Sequence, residues 1–174
     1  MKTKSLDTQN FSTGVLHSRK LLAFFINHLN RIYCAKSHLQ KCLPEMREHA
    51  NFGDLAHAIT ETLVDVEKQI SRMDEIYSIL GVKPGFEDCL GVIGLIEDTF
   101  SAISQEMDDP EMSDLSILFY LQNIEAIEMA SFKMLNLAAP RLDQKEIKQL
   151  LKENFDEAKE DLLLLQEITS KYLK

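Results

Sequence analysis

An all-α fold, an antiparallel bundle of four long helices with one shorter helix, follows from three observations. Hydrophobic residues make up 45% of the 174 positions, yet there are only 6 glycines and 4 prolines, too few for the tight turns of a sandwich or barrel. Apolar residues recur at alternating spacings of three and four along most of the chain. The stretches that interrupt this pattern are short, so consecutive helices must fold back on one another.

The opening "MKTKSLDTQNFSTG" is polar and aperiodic, which makes residues 1–14 a flexible arm and 15–174 the bundle domain. The first helix runs from Ser18 to about Ala50, with Leu22, Phe25, Leu29, Ile32, Leu39, Leu43 and Met46 on its inward stripe. Pro44 should bend or locally open it without ending it, because Met46 stays on the stripe. A second helix spans about Asp54 to Leu80, facing inward with Ile59, Val66, Ile70, Met73, Tyr77 and Leu80; Gly81 and Pro84 in "GVKP" stop it. The shorter third helix, about Glu87 to Met107, presents Cys89, Val92, Ile96, Phe100 and Ile103. Asp109 and Pro110 then start a fourth helix that reaches about Leu137 and breaks at "APRLDQ". The fifth, about Gln144 to Tyr172, turns Leu151, Phe155, Ala158, Leu162 and Leu165 inward.

Formal net charge is -9, which argues against nucleic acid or an anionic membrane surface as the main partner. Residues 1–50 carry 8 basic and 3 acidic side chains, whereas the rest carry 11 and 25. Either the basic first helix packs on acidic neighbours or it offers a basic docking face. The most apolar stretch, residues 116–140, contains Glu125, Glu128 and Lys133, too many charges for a helix in lipid. Three cysteines, Cys34, Cys42 and Cys89, make an odd number, and the first two lie about 12 Å apart on a helix, too far to bridge. They read as small core residues in a reducing cytoplasm.

The polar residues within the seams carry the functional question. On the fourth helix the series 118, 121, 125, 128, 132, 135 reads Leu, Leu, Glu, Glu, Phe, Leu, so Glu125 and Glu128 share one inward face. On the first helix the series 29, 32, 36, 39, 43 contains Lys36 as its one charge. Buried carboxylates need a cation, a metal, a hydrogen bond or a proton. Three arrangements satisfy that need: the polar ends reach solvent at the rim, the glutamates hold a metal, or Lys36 pairs with them across the bundle.

At these residues the chain resembles the YciE/YciF-like family, ferritin-like bacterial proteins associated with stress responses. The likeness lies in "YCAKSHL" with "LPEM" on the first helix, "ISRMDEIYSILGVKP" closing the second, "CLGVIGLIED" on the third and "QNIEAIEMA" on the fourth. It implies a ferritin-like bundle and a di-metal carboxylate site to which Asp65, Asp98, Glu125, Glu128 and Glu157 would contribute. Lys36 stands where the family's first-helix Glu would be, and Ala126 where many members have His. The resemblance therefore implies a dismantled site, with Lys36 forming a buried charge cluster with Glu125, Glu128 and Asp98. No cofactor is expected on this reading; the alternative is a metal-binding protein or oxidase with one remaining iron or manganese ion held by the five acids. A homodimer is implied by the family and by helices apolar on more than one side, with a further protein partner unspecified.

No histidine follows a Glu by three positions, so the ferritin-type metal pair is missing from the sequence. A phosphotransfer bundle using His38 or His57 is a further alternative. There is no phosphate-cradling glycine loop, Cys-x-x-Cys or Gly-x-Ser-x-Gly. The reading is a non-catalytic stress-associated or interaction protein.

Overall fold

The ends of the helices follow local chemistry. A computed structural model describes residues 18–86, 89–142 and 145–174, so the expected arm at 1–14 lies outside the described residues. Helix α1 (Ser18–His49) runs on through Pro44 and keeps Met46 buried. Helix α2 (Gly53–Leu80) closes at Gly81, whose φ of 66° is left-handed; the Gly81 and Val82 N–H groups donate to the Ser78 and Tyr77 carbonyls, satisfying the last turn. Helix α3 spans Leu90–Gln105 and α4 Pro110–Ala138. The Asp109 carboxylate caps α4 by accepting from the Met112 N–H at 3.2 Å, and Pro110 occupies the first turn, where its missing N–H costs nothing. A 3₁₀ turn, Ala139–Leu142, leads towards α5 (Lys145–Tyr172).

Helix α2 packs on α1 and α5, and α4 packs on α5 and α1, giving the ring α1–α2–α5–α4. Short links make α1/α2 and α4/α5 antiparallel neighbours. The α1–α2 link is tied to the bundle by Asp114 of α4, fully buried, which accepts from the backbone N–H groups of Asn51 (3.0 and 2.9 Å) and Phe52 and from the Asn51 amide (3.1 Å). Helices α2 and α4 sit on a diagonal, so the chain between them must cross the bundle. Helix α3 lies in that crossover, against α4 and α1.

The crossover changes the reading of the cysteines. It brings Cys89, just before α3, onto α1, where it forms a disulfide with Cys34 at a Cα–Cα distance of 6.1 Å; Cys42 is free. The odd count had suggested three separate core thiols, but 55 residues separate this pair and only the tertiary path makes them neighbours.

The core divides in two. One cluster gathers Leu39, Leu43 and Met46 with Ile59, Val66, Leu121 and Leu165; the other gathers Phe25, Leu29 and Ile32 with Met73, Tyr77, Phe132 and Leu151. Each helix of the ring passes from one cluster to the other through polar residues: Lys36 on α1, Thr62 and Gln69 on α2, Glu125 and Glu128 on α4, Asn154 and Asp161 on α5, all buried. The inward stripes differ accordingly from those expected. Gln69, Thr99, Asn154 and Asp161 are buried, whereas Ile70, Phe100, Phe155 and Leu162 beside them are half-buried.

A lysine enclosed by carboxylates

The polar layer is organised around Lys36, which α1 places inward because its neighbours Ile32 and Leu39 belong to the buried stripe. Its side chain is 0% exposed; Nζ pairs with Oε2 of Glu128 and stands 3.9 Å from Oε1 of Glu125, those glutamates being 2% and 0% exposed. Glu125 and Glu128 reach it together because residues three apart on a helix lie on one face. A third acid, Asp161 of α5, is 4% exposed and accepts a hydrogen bond from the Thr62 hydroxyl at 3.4 Å. Asp161 borders a groove of about 540 Å³ between α2 and α5 that also touches Glu61, Asp65, Lys68 and Glu160. Among the described residues, both oxygens of Glu125, Oδ2 of Asp161 and both amide atoms of Gln69 have no hydrogen-bond partner.

One cation thus faces three buried acids. Burial pulls the Lys36 ammonium down, but Glu125 and Glu128, with Asp161 behind them, outweigh it and hold the group above the ordinary lysine range. Burial pushes Glu125 well above the usual carboxylate range, opposed by Lys36 and reinforced by Glu128, Asp161 and Asp65. Burial also raises Glu128, against the attraction and hydrogen bond of Lys36. Asp161 is pushed by burial, against Lys36, up to about 7. The ammonium is therefore held charged with Glu128 as its contact partner, burial favours the protonated form of Glu125, and Asp161, at about 7, is near its midpoint at neutral pH.

The other acids expected at the site lie elsewhere. Asp98 is exposed on α3, whose buried positions are Ile96, Thr99 and Ile103, so its place in the charge cluster is corrected. One residue of a helix turns the side chain by about 100°, enough to move Asp98 from the seam to solvent. Asp65 is half-buried and takes a 2.7 Å contact from Lys68. Glu157 is held by Arg72 through two bonds of 2.6 and 2.7 Å; Arg72 also donates to Asn154 at 3.2 Å and pairs with Glu153 at 3.0 Å. His57 is exposed beside Glu61.

Asp161 is the site residue that the sequence reading missed. Its signal was present: the series 151, 154, 158, 161, 165, 168 keeps the helical spacing and reads Leu, Asn, Ala, Asp, Leu, Ile. Choosing the apolar Phe155 and Leu162 gave an equally regular stripe and hid it. The donor set does not suit a di-metal centre. Divalent ions need several oxygen ligands, and here an ammonium lies among the acids while Glu157 and Asp65 are engaged by Arg72 and Lys68. Among the described residues, no three His, Cys, Asp or Glu side chains are grouped to hold a metal ion.

The sequence profile of a domain of unknown function, DUF892, matches residues 20–174. The chain belongs to this family. Protein YciF of Escherichia coli strain K12 is 28% identical over 136 residues, which are 78% of this chain and 81% of that protein. The crystal structure of the E. coli stress protein YciF superposes with a TM-score of 0.83 at 25% identity, covering 88% of this chain and 96% of that one. YcfI from Rhodopseudomonas palustris gives a TM-score of 0.80 at 29% identity, covering 88% and 97%. The ferritin-like bundle inferred from the sequence is thus the fold of this DUF892 member. Among the described residues, no helix is long and apolar enough to cross a membrane.

Proposed function

We propose that this DUF892 protein is a non-catalytic, stress-associated structural or interaction protein whose ancestral di-metal site has been replaced by a fixed charge. The observation that carries the reading is the ammonium of Lys36 on Glu128, 3.9 Å from Glu125, at full burial. A lysine at the position of a ligand glutamate removes an oxygen donor and supplies the positive charge a metal would have brought. It holds the glutamates in place and offers no open coordination position and no redox change. Arg72 does the same for Glu157. The stress association rests on the E. coli relative, described as a stress protein.

The protein acts as a cytoplasmic homodimer on this reading. Support for the dimer comes from α4, where Met112, Phe119, Ile127, Met134 and Leu137 form one exposed apolar stripe. Light scattering should give twice the chain mass for the wild type and the single mass for Ile127→Glu.

Elemental analysis of protein purified without chelator, then incubated with Fe(II) or Mn(II) and desalted, tests the central claim. Wild type should retain far less than one ion per chain, and Lys36→Glu, which restores the missing carboxylate, should retain more. Stoichiometric iron or manganese in the wild type would overturn it.

A further inference from the structure

The start of α3 is tied to α1 by a covalent bond. The buried side chains of α3 are Ile96, Thr99 and Ile103, none of them in its first six residues. In the first half Leu90 is 71% exposed, Gly91 is exposed, and Val92, Ile93, Gly94 and Leu95 are only partly covered. Two glycines in that stretch lower its intrinsic helicity. Upstream, the loop is pinned where the Gly85 N–H donates to Asn30 at 3.1 Å, and Asn30 in turn accepts from the Tyr77 hydroxyl at 2.8 Å. Between Gly85 and Ile96 the one buried described residue is Cys89, which is bonded to Cys34; Val92 and Leu95 pack against the core only in part.

We propose that Cys34 and Cys89 are a redox-active pair, a disulfide clasp whose opening by thiol–disulfide exchange releases residues 90–95 at the start of α3 from α1 while Ile96 and the bundle stay in place. The bundle does not depend on the clasp, since two apolar clusters hold it together, and α3 itself stays anchored in the first of them through Ile96 and Ile103. Cys34 is half-buried, and Cys89 borders a groove of about 480 Å³ whose α1 wall is Phe24, His28, Arg31 and Ile32. Its α4 wall, Ile127 and Met134, belongs to the stripe proposed for the dimer, so exchange takes place on the single chain and is tested at a dilution where light scattering gives the single-chain mass.

A thiolate from a small dithiol attacks Cys34, the less buried residue of the two, forming a mixed disulfide and expelling the Cys89 thiolate. Cys89 is the better leaving group because it sits at the amino-terminal cap of α3, beside unpaired N–H groups. The second thiol of the reductant then closes its own disulfide. The protein gains two electrons and two protons as two thiols. Closure runs in reverse with glutathione disulfide: the Cys34 thiolate attacks it, takes up one glutathione and releases the other as thiolate, and Cys89 then attacks the Cys34 sulfur and expels the second glutathione. Opening loosens Val92 from the groove and uncovers the apolar sides of α1 and α4 beneath.

The test uses full-length protein carrying Cys42→Ser, which removes the third thiol. After glutathione disulfide, alkylation and intact mass should show no free thiol, and dithiothreitol should restore two. Hydrogen exchange followed at the amides of Ile93–Ile96, whose helical acceptors are the carbonyls of residues 89–92, should speed up at least tenfold on reduction. Amides at 100–105 and throughout α5 should change less than twofold. Cys34→Ser should match the reduced pattern with or without reductant; should that variant not fold, the reduced Cys42→Ser protein gives the same reading. Two free thiols after glutathione disulfide would overturn the proposal. So would unchanged exchange at Ile93–Ile96, or a loosening spread evenly over the bundle.

Discussion

Replacing Lys36 by methionine keeps an unbranched chain one atom shorter and removes the ammonium from the centre of the polar layer. Glu128 then loses its counter-ion, and Glu125 and Asp161 lose the attraction that opposes their burial. Removing one partner of a buried pair typically costs about 3–5 kcal/mol, because the other charge stays behind unpaired. In a domain of 174 residues each kcal/mol moves the melting temperature by about 2–4 °C, so Lys36→Met should melt about 6–20 °C below the wild type at pH 8. The carboxylates can escape by taking up protons, which makes the loss pH-dependent.

The sign follows from the direction of the shifts. Acids raised in the folded state hold protons that the unfolded chain releases above its own values of about 3.9–4.3. Their favourable contribution is complete below that range and is lost as pH rises through the folded value, about 7 for Asp161. Lys36, also raised, contributes fully below about 10.4 and loses that contribution only as pH rises through its higher folded value. Without Lys36 all three acids move up further, so the deficit of Lys36→Met should be widest at pH 8 and narrowest near pH 5. Thermal melts followed by circular dichroism at both pH values measure it, and adding Glu128→Gln should recover part of the loss. A Lys36→Met protein melting within about 2 °C of wild type at both pH values would refute the assigned cluster.

Glu125 and Glu128 should respond differently to glutamine. Glu125→Gln replaces a carboxyl whose burial favours the protonated form and should cost about 1 kcal/mol or less in urea unfolding, whereas Glu128→Gln removes the contact partner of Lys36 and should cost about 3 kcal/mol or more. Asp161→Asn should flatten the fall in wild-type stability between pH 5 and 8, because the group that titrates at about 7 is gone. Asp114→Ala orphans two backbone N–H groups of the α1–α2 link and should cost about 2–3 kcal/mol, with faster hydrogen exchange at Asn51 and Phe52.

The candidate site was half legible in the sequence. Glu125, Glu128 and Lys36 stood out because each interrupts an otherwise apolar stripe at an inward position, and no other helical phase fits those stripes. Asp161, Gln69 and Asn154 did not stand out, because each has an apolar neighbour at 162, 70 or 155 that completes an equally regular stripe. Preferring the apolar choice is sound for an ordinary core and fails where a bundle keeps a polar layer. Asp98 failed the opposite way: its motif placed it beside the seam, and the phase of α3 turned it out.

Although α3, expected to reach Met107, ends at Gln105, the number of helices and the ends set by caps such as Asp109, Pro110 and Gly81 were determined by the sequence alone, since they depend on the period of apolar residues and on groups that act within a turn. So was the presence of charge in the seams of α1 and α4. Which charges meet was decided only by the tertiary structure. Ring order sets Lys36 of α1 against Glu128 of α4, and the crossover carries Cys89 to Cys34. Such pairings depend on the relative rotation and placement of helices far apart in the chain, and a helix's own periodicity holds no record of what faces it.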